Sequence, residues 1–534
     1  MSVLERRGAE RSPDGFTIPT RRRVSTVAHI SGLALAVVAP GLALSAVIEV
    51  ATDGDGVWAL FVSAALFALV GGAIHRGTRL GDLSPKAIFA SVAWSWMLVS
   101  VLGSLPFVLA RTFSQEGLSR WVELSDAIFE SVSGYTCTGS TVLTTLPDLG
   151  ETDPAVGRGV LFYRQLTQWY GGMGFVQLVI AVLPVLGTRA MGFMGAEAPG
   201  PTADRLSPRA AETAAILWKV YAGVTALMAF AYWIAGMSLF DSFNHSLSTA
   251  ATGGFSTYND SLGEFDSIPI EVAAIGAMMI GGANFALHYL FLTKDRAVHW
   301  KDREFRTYVG MLAIATAVVT IMLTIGADVG DFGQSFRVAV FNVVSLGTST
   351  GFGNAQGSGS PGDIVFWGAS PLVILLVLMA IGGMSGSTAG GTKVIRLRVL
   401  AAAAQRVIIR AGHPRSVIPL RMGADVVAER VVKHVTIFFM AYMALVVGGL
   451  LAVTALGGGL EESISGVIGS LGNMGPAFGD GGPTDSFQNA FPAPARLVLA
   501  MLMIVGRLEL FAVLLMFAAP ISTLRRALPN RRVN

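Results

Sequence analysis

Cysteine and charged residues are both scarce in this chain of 534 residues. The one cysteine, Cys137, excludes an intrachain disulfide and any cluster of thiolate ligands, such as a zinc or iron–sulfur site. Charged residues make up 14% of the chain, whereas soluble proteins contain about a quarter. Such a chain cannot cover a water-facing surface of its own size. Its composition therefore excludes a soluble enzyme, a disordered protein and a nucleic-acid-binding protein.

The sequence also lacks the signatures of common enzymes. Its seven histidines show no HExxH spacing for zinc, and no GxSxG elbow of a serine hydrolase occurs. We interpret His245 and His288 as packing or hydrogen-bonding residues. The segment GGTK at 390–393 differs in order from a nucleotide P-loop and follows no predicted strand. We therefore predict that the chain is not an enzyme and holds no organic cofactor.

Hydrophobic residues make up 52% of the chain, and its mean hydropathy is +0.60. A helix needs about 20 apolar residues to cross a membrane. The stretches long enough are 24–50, 57–75, 85–110, 158–186, 212–238, 268–293, 307–327, 364–383, 429–456 and 496–523. The first follows three arginines but is too long for the core of a signal peptide. The sequence thus predicts an all-α polytopic membrane protein.

The charges of the connecting loops predict the orientation. Basic residues concentrate after the second, sixth and eighth spans and at the C-terminus. The loops between them are acidic, with Asp53, Asp55, Glu151, Asp153, Asp260, Glu264, Asp266, Asp480 and Asp485. Because positive loops stay inside, we expect a multi-pass protein of the cell (inner or plasma) membrane with both termini in the cytoplasm. The outer acids either concentrate cations or only keep the loops soluble. Basic cytoplasmic tails are predicted at 1–23, near anionic lipid, and at 526–534.

Four segments between the spans are too short and too polar to cross a membrane. They lie at about 122–141, 239–257, 336–353 and 462–479, and they align on Gly139, Gly254, Gly351 and Gly475. The unit span–short helix–glycine loop–span therefore occurs four times, with a period far longer than that of solenoid repeats. Two extra N-terminal transmembrane helices at 24–80 precede it. The repeats cover 81–190, 205–300, 303–410 and 425–525, and we expect a pseudo-fourfold arrangement around one pore.

Physical chemistry favours a cation pore for this arrangement. A half-length helix that turns back exposes carbonyl groups, which lipid forbids unless they line a wet cavity or an ion path. The negative ends of four such helices would favour a cation on their common axis. We expect the acids at the first, second and fourth helix starts, Asp126, Asp241 and Glu462, to complement the positive ends. Glycine allows the loops to adopt conformations closed to other residues, and rings of carbonyls can replace the hydration shell of K⁺.

Several motifs carry a resemblance to a known family. They are RQLTQWYGGMGF (164–175), HSLSTAATGGFST (245–257), IGGANFALHY (280–289), SLGTSTGFGN (345–354), IGGMSGSTAGGTKVIR (381–396), GNMGPAFG (472–479) and VGRLELFAVLLMF (505–517). Together they resemble the Trk/Ktr/HKT superfamily of potassium transporters, and its TrkH branch in particular. The resemblance implies a pore-forming subunit, usually a homodimer with one pore per chain. It also implies a cytosolic, nucleotide-binding regulatory subunit similar to TrkA.

The resemblance implies a K⁺ selectivity filter made of four loop segments. Their residues are Thr136, Cys137, Thr138 and Gly139; Ala251, Thr252, Gly253 and Gly254; Thr348, Ser349, Thr350 and Gly351; and Gly472, Asn473, Met474 and Gly475. In the second segment the adjacent glycines leave the register open by one residue. Sodium-selective plant relatives carry serine in place of the first glycine, so Gly139 favours K⁺. Cys137 replaces a usual threonine, and we interpret it as a packing residue rather than a redox sensor.

The glycine-rich segment 381–392 interrupts the eighth span. Glycine costs about 1 kcal/mol relative to alanine in a helix, and a broken helix at membrane depth must line a cavity. The resemblance implies an intramembrane gating loop there, with Arg507 from the last span beside it in the pore. The gating residues would be Gly382, Gly383, Gly386, Ser387, Thr388, Gly390, Gly391 and Arg507. The alternatives are close helix packing at the glycines and a structural ion pair of Arg507 away from the pore.

Two other transport functions remain open. A Na⁺-conducting or Na⁺/K⁺-coupled member of the same superfamily would share these motifs. A secondary transporter would show broken helices in two inverted halves rather than one unit repeated four times. Comparing the fluxes of K⁺, Rb⁺ and Na⁺ separates these possibilities.

Overall fold

A computed structural model describes residues 23–81, 85–114, 117–144, 146, 156–182, 210–326, 329–413, 418–422, 425–483 and 485–509. Of the predicted basic tails, 1–23 lies outside these residues except for Arg23, and 526–534 lies outside them entirely. So do the end of the fourth predicted span and the part of the tenth beyond residue 509.

Two N-terminal helices, α1 (Thr26–Ala51) and α2 (Val57–Gly77), form an antiparallel pair. They pack backbone to backbone, because a Cβ on Gly32 would lie 2.7 Å from the amide nitrogen of His75. Two short strands, β1 (Arg23–Val24) and β2 (Thr78–Arg79), pair in parallel at one end. At the other end the buried carboxylate of Glu49 accepts hydrogen bonds from Gly56 N at 2.9 Å and Gly159 N at 2.5 Å. Glu49 therefore ties this pair to the first repeat.

The four repeats follow in chain order. The first contains α3 (Pro85–Leu102), α4 (Leu105–Leu109), α5 (Arg120–Tyr135) and α6 (Arg158–Val182). The second contains α7 (Ala210–Ala235), α8 (Leu239–Ala250), a 3-10 turn (Gly263–Phe265), α9 (Ile268–Gly281) and α10 (Phe285–Thr293). After α11 (Val298–Lys301), the third contains α12 (Arg303–Gly326), α13 (Phe332–Gly347), a 3-10 turn (Ile364–Trp367), α14 (Ala369–Ile381) and α15 (Val394–Gly412).

The fourth repeat begins after the antiparallel strands β3 (Arg421–Met422) and β4 (Asp425–Val426). It contains α16 (Glu429–Ala455), α17 (Leu460–Gly472), a 3-10 turn (Gly479–Gly481), α18 (Phe487–Ala490) and α19 (Ala493–Arg507). Each repeat thus places one short helix, α5, α8, α13 or α17, between the helical segments of its two predicted spans. Within the described residues six helical segments are long and apolar enough to cross a membrane, and the bent pair α9–α10 would make a seventh. The predicted class, an all-α polytopic membrane protein, is confirmed.

Two predicted spans differ from the observed helices. The predicted span 268–293 bends by 97° between α9 and α10. A new helix starts there because the side chain of Asn284 caps it, accepting a hydrogen bond from Ala286 N at 2.8 Å. In the last predicted span, α19 ends at Arg507, and Glu509 adopts a left-handed conformation with φ 52°.

One predicted helix start is also wrong. Helix α5 begins at Arg120, so Asp126 lies in its middle, where it pairs with Arg496 at 2.5 Å. Asp241 and Glu462 do lie in the first turns of α8 and α17. The acid in the first turn of α5 is Glu123. A buried pair between repeats therefore accounts for Asp126, and interaction with the helix dipole does not.

Candidate functional site

The loops that follow the four short helices form a closed ring. Loop 1 is 136–140, loop 2 is 251–255, loop 3 is 348–352 and loop 4 is 472–476. A Cβ added to Gly139 would collide with Gly253 O, and one added to Gly254 would collide with Thr350 O. A Cβ on Gly351 would lie 3.0 Å from Pro476 Cδ, and one on Gly475 would lie 2.8 Å from Gly139 O. Loop 1 thus contacts loop 2, loop 2 contacts loop 3, loop 3 contacts loop 4, and loop 4 returns to loop 1.

The four loops share an unusual backbone conformation. Two residues before each aligned glycine, φ is positive in a residue that has a side chain: Cys137 (55°), Thr252 (52°), Ser349 (60°) and Asn473 (49°). The aligned glycine itself has φ of 85° at Gly139, 81° at Gly254 and 90° at Gly351. Gly254, and not Gly253, is therefore the counterpart of Gly139, which resolves the open register. Gly475 lacks a positive φ, and loop 4 is the loop that departs from the common pattern.

Hydrogen bonds between side chains support the conformation of the loops. In loop 1 the hydroxyl oxygens of Thr136 and Thr138 lie 2.7 Å apart. In loop 3 those of Thr348 and Thr350 lie 2.8 Å apart. Loop 2 has Ala251 and Gly253 at these two positions, and loop 4 has Gly472 and Met474. Asn473 joins loop 4 to loop 1, since its Nδ2 donates to Thr138 Oγ1 at 3.2 Å.

A cavity of about 210 Å³ opens on one side of the ring and includes all four aligned glycines in its lining. Asp485 lies at its wall. Burial, together with the charges of Asp363, Asp480 and Asp260, raises the pKa of Asp485 above its ordinary value. Of the predicted outer acids, Asp485 thus lines this cavity, and Asp260 and Asp480 lie near enough to raise its pKa.

A glycine-rich loop lies against the opposite side of the ring. Helix α14 ends at Ile381, and α15 starts at Val394. Between them φ is positive at Gly382 (72°), Gly386 (73°), Gly391 (77°) and Lys393 (71°), so a continuous helix is impossible. We call residues 382–393 the intramembrane loop. Within it, Ser387 Oγ donates to Met384 O at 2.6 Å.

The intramembrane loop contacts the ring and the bend between α9 and α10. Thr388 Oγ1 lies 3.0 Å from Ala250 O, 3.2 Å from Gly281 O and 3.3 Å from Thr252 Oγ1. A Cβ on Gly390 would collide with Gly472 O, and one on Gly382 would lie 3.0 Å from Ser349 Oγ. A Cβ on Gly383 would lie 2.8 Å from Gly282 O, which accepts a hydrogen bond from Met384 N at 2.9 Å. The loop thus lies beneath loops 2, 3 and 4 at once.

Arg507 connects the intramembrane loop to the first repeat. Its Nη1 donates to Thr388 O at 2.8 Å, and its Nη2 donates to Gly171 O at 2.7 Å and Gly172 O at 3.0 Å. Nη2 also lies 3.5 Å from Cys137 Sγ in loop 1. The side chain is buried, and its contacts lie at the ring and not in a remote ion pair. Cys137 Sγ in turn donates to Gln168 O at 3.2 Å, as suits a buried packing residue.

Several charged and polar side chains hold these parts together, and sequence reasoning missed the roles of Glu304, Gln168 and Glu509. Glu304 accepts a hydrogen bond from Ser385 N at 2.7 Å, and Lys393 Nζ donates to Ala389 O. Gln168 contacts loop 2. Glu509 pairs with Arg396. A usable signal existed, because ionisable residues and Gln within apolar spans are costly unless they have partners.

The predicted residues of the filter and the gate therefore come together in two stacked layers, a ring and a loop. The sequence of the chain also matches a known family model. The model described as TrkH, a cation transport protein, matches residues 61–524. The chain belongs to the TrkH family.

Relatives with curated names support the same assignment. The Trk system potassium uptake protein TrkH of Salmonella typhimurium is 35% identical over 468 residues, which cover 87% of this chain and 92% of the relative. TrkH of Halomonas elongata is 37% identical over 469 residues, covering 87% and 92%. The crystal structure of the potassium transporter TrkH from Vibrio parahaemolyticus superposes with a TM-score of 0.79 at 32% identity. It covers 92% of this chain and 98% of its own. TrkH-family members are transporters and not enzymes.

Proposed function

We propose that this TrkH-family chain mediates potassium uptake across the cell membrane, with loops 1 to 4 as the selectivity filter. The closed ring of four loops carries the proposal. Each loop follows the C-terminal end of a short helix, so four negative dipole ends meet around one axis and favour a cation there. Main-chain carbonyls of such a ring can replace the water around K⁺. The names of the relatives, all Trk potassium uptake proteins, agree with this ion.

The intramembrane loop and Arg507 form the gate in this proposal. They lie directly beneath the ring, on the side opposite the open cavity. The guanidinium places a positive charge next to the ion path and holds Thr388 O by a charge-assisted hydrogen bond. Conduction then requires the loop to move away from the ring. A docked regulatory subunit can supply the free energy that is needed to break the few hydrogen bonds of Thr388 and Arg507.

The orientation and the partners follow from the distribution of charge. With both termini in the cytoplasm, the acidic cavity faces outwards and the basic helix α15 faces the cytosol. Residues Lys393, Arg396 and Arg398 connect α15 to the gate, so a docked cytosolic protein would act on the loop through this helix. We propose a homodimer that works with a nucleotide-binding subunit similar to TrkA.

Flux measurements in vesicles test the proposal. Purified protein in proteoliposomes, with and without the cytosolic regulator, should pass K⁺ and Rb⁺ faster than Na⁺. Gly139→Ser should lose this preference, because its Cβ would collide with Gly253 O inside the ring. Gly223→Ala is the matched control, since a Cβ there meets no atom within 4 Å. Vesicles that never pass K⁺ would overturn the proposal, and a preference for Na⁺ would establish the sodium-conducting alternative.

A further inference from the structure

Loop 2 is the one loop with two adjacent glycines, and only one of them needs to be glycine for its backbone. Gly254 has φ 81°, whereas φ of Gly253 lies outside the left-handed region. The counterparts of Gly253 are Thr138 in loop 1, Thr350 in loop 3 and Met474 in loop 4. A side chain at position 253 is therefore allowed by the backbone, and something else must explain the glycine.

The explanation is the amide of Gln168, which projects from α6 of the first repeat. A Cβ on Gly253 would collide with the Cδ and Oε1 atoms of Gln168 and lie 2.7 Å from its Nε2. The amide group therefore occupies the space in which loops 1 and 3 hold a threonine side chain. Gln168 itself is completely buried.

The Gln168 amide uses both its donor and its acceptor on the loop. Nε2 donates to Gly253 O at 2.7 Å, and Oε1 accepts from Phe255 N at 3.3 Å. These two hydrogen bonds resemble the paired bonds between neighbouring β-strands. They fix the two peptide groups on either side of Gly254. The held carbonyl, Gly253 O, is the atom that contacts Gly139 across the boundary between loops 1 and 2.

We infer that Gln168 is a positioning residue for ion selection, which takes in loop 2 the place of the threonine pairs that brace loops 1 and 3. It holds Gly253 O at the junction of two loops and so keeps the diameter of the ring. The inference rests on the proposed filter function. It differs from packing alone, because it requires the hydrogen bonds of the amide and not only its volume.

The test compares two glutamines of the same helix. Gln168→Met preserves length and removes the donor and the acceptor. Gln165→Met is the control, since Gln165 is equally buried but its amide has no hydrogen-bond partner among the described residues. The ratio of K⁺ to Na⁺ permeability in proteoliposomes should fall roughly tenfold in Gln168→Met, which corresponds to about 1.4 kcal/mol. It should stay at the wild-type value in Gln165→Met.

Wild-type vesicles separate the two hypotheses. If the wild type does not distinguish K⁺ from Na⁺, the filter proposal itself is overturned, whatever the Gln168 variants do. If the wild type distinguishes them and folded Gln168→Met does so equally well, the role of Gln168 is overturned. Should Gln168→Met not fold, Gln168→Glu keeps the acceptor for Phe255 N while replacing the donor to Gly253 O, and the same loss is expected.

A double substitution tests directly whether a threonine side chain at position 253 can replace the Gln168 amide. Gly253→Thr alone should abolish flux, because its Cβ would overlap the Gln168 amide. Combined with Gln168→Ala, the threonine has room, and flux should return with K⁺ preferred over Na⁺. A double variant no better than Gly253→Thr would contradict the inference.

Discussion

At the scale of single residues, Arg507 is the clearest case of a charge with a specific position. Its guanidinium donates to three main-chain carbonyls, one in the intramembrane loop and two in α6. Hydrogen bonds to a charged group contribute about 1.5–3 kcal/mol each. Arg507 therefore stabilises the closed arrangement in which the loop lies against the ring.

Arg507→Ala should accelerate K⁺ flux, because it removes both the positive charge and the bond to Thr388 O. Losing one such bond favours the open loop by roughly tenfold or more. The rate of K⁺ flux into proteoliposomes without the regulator measures the change. Arg120→Ala, which removes an exposed arginine paired with Glu123, is the comparison. Flux of Arg507→Ala equal to or below wild type, with folding intact, would rule out this role.

With the cavity facing outwards as proposed, Asp485 should make K⁺ uptake depend on the outer pH. Burial and its acidic neighbours raise the pKa of Asp485, so it takes up a proton at a higher pH than an ordinary aspartate with a pKa of about 3.9. Neutralising it removes an attraction for cations. As the outer pH falls from about 7 toward the raised pKa, K⁺ uptake at subsaturating K⁺ should therefore decrease, by about twofold at low ionic strength.

Asp485→Asn should lower uptake at neutral pH and flatten its pH dependence. Asp53→Asn, on the exposed turn between α1 and α2, should leave both unchanged. Initial rates of Rb⁺ uptake at several outer pH values provide the measurement. A pH profile of Asp485→Asn identical to that of the wild type would show that another group titrates.

At the scale of elements, the sequence predicted which helices and loops occur better than it predicted where the helices bend or end. The four short helices were predicted from their length and polarity, and the glycine alignment placed all four loops in one ring. The bend between α9 and α10 was missed because its residues, 282–284, lie within an apolar run whose composition alone suits a continuous span. The bend arises from tertiary contact, since Gly282 O and Phe285 N both bond to the intramembrane loop.

Gln168 escaped prediction for a related reason. Its spacing marks it only as a polar residue in an apolar helix, and its partner Gly253 lies 85 residues away. Likewise, Asp126 was assigned to a helix start because it stands thirteen residues before its aligned glycine, as Asp241 and Glu462 do. Its true partner, Arg496, is brought to it only by the closing of the fourth repeat on the first. Local pattern predicts elements, whereas the contacts between repeats require the assembled ring.

Thr388 should stabilise the intramembrane loop in its position against the ring. Thr388→Val keeps the shape of the side chain but removes its hydroxyl, which donates to Ala250 O or Gly281 O and can accept from Thr252 Oγ1. Each hydrogen bond contributes about 0.5–1.5 kcal/mol, so basal K⁺ flux should rise roughly threefold to tenfold. Thr324→Val is the control, because among the described residues Thr324 bonds only to its own helix, at Thr320 O. Equal flux in the two variants would mean that the hydroxyl of Thr388 does not hold the loop.

At the scale of the whole molecule, polar contacts between repeats hold the ring together from outside. Arg496 of repeat 4 pairs with Asp126 of repeat 1, and Arg337 of repeat 3 pairs with Glu271 of repeat 2 at 2.9 Å. Between repeats 3 and 4, the apolar residues Met379 and Met474 lie in one buried cluster. The ring thus depends on contacts that no single repeat can make, and a repeat alone should not fold.

The junction of repeats 1 and 2 makes this dependence measurable. Glu130 accepts from Val142 N at 2.9 Å and from Arg164 Nε at 2.6 Å. Arg164 donates to Ser256 O at 2.7 Å, and its guanidinium carbon lies 3.6 Å from the centroid of the Phe255 ring. The pair therefore joins the segment after loop 1 to the segment after loop 2.

Arg164→Met should destabilise the protein by about 3–5 kcal/mol, because it leaves Glu130 as a buried charge without its partner. Combining it with Glu130→Gln should recover part of this loss, since the remaining group is then neutral. Arg120→Met breaks an exposed pair with Glu123 and should cost about 0–1 kcal/mol. Thermal unfolding of the purified protein in detergent measures all three. If Arg164→Met costs no more than Arg120→Met, the ring must close without this contact, and the stability of the pore would have to reside in the helix packing alone.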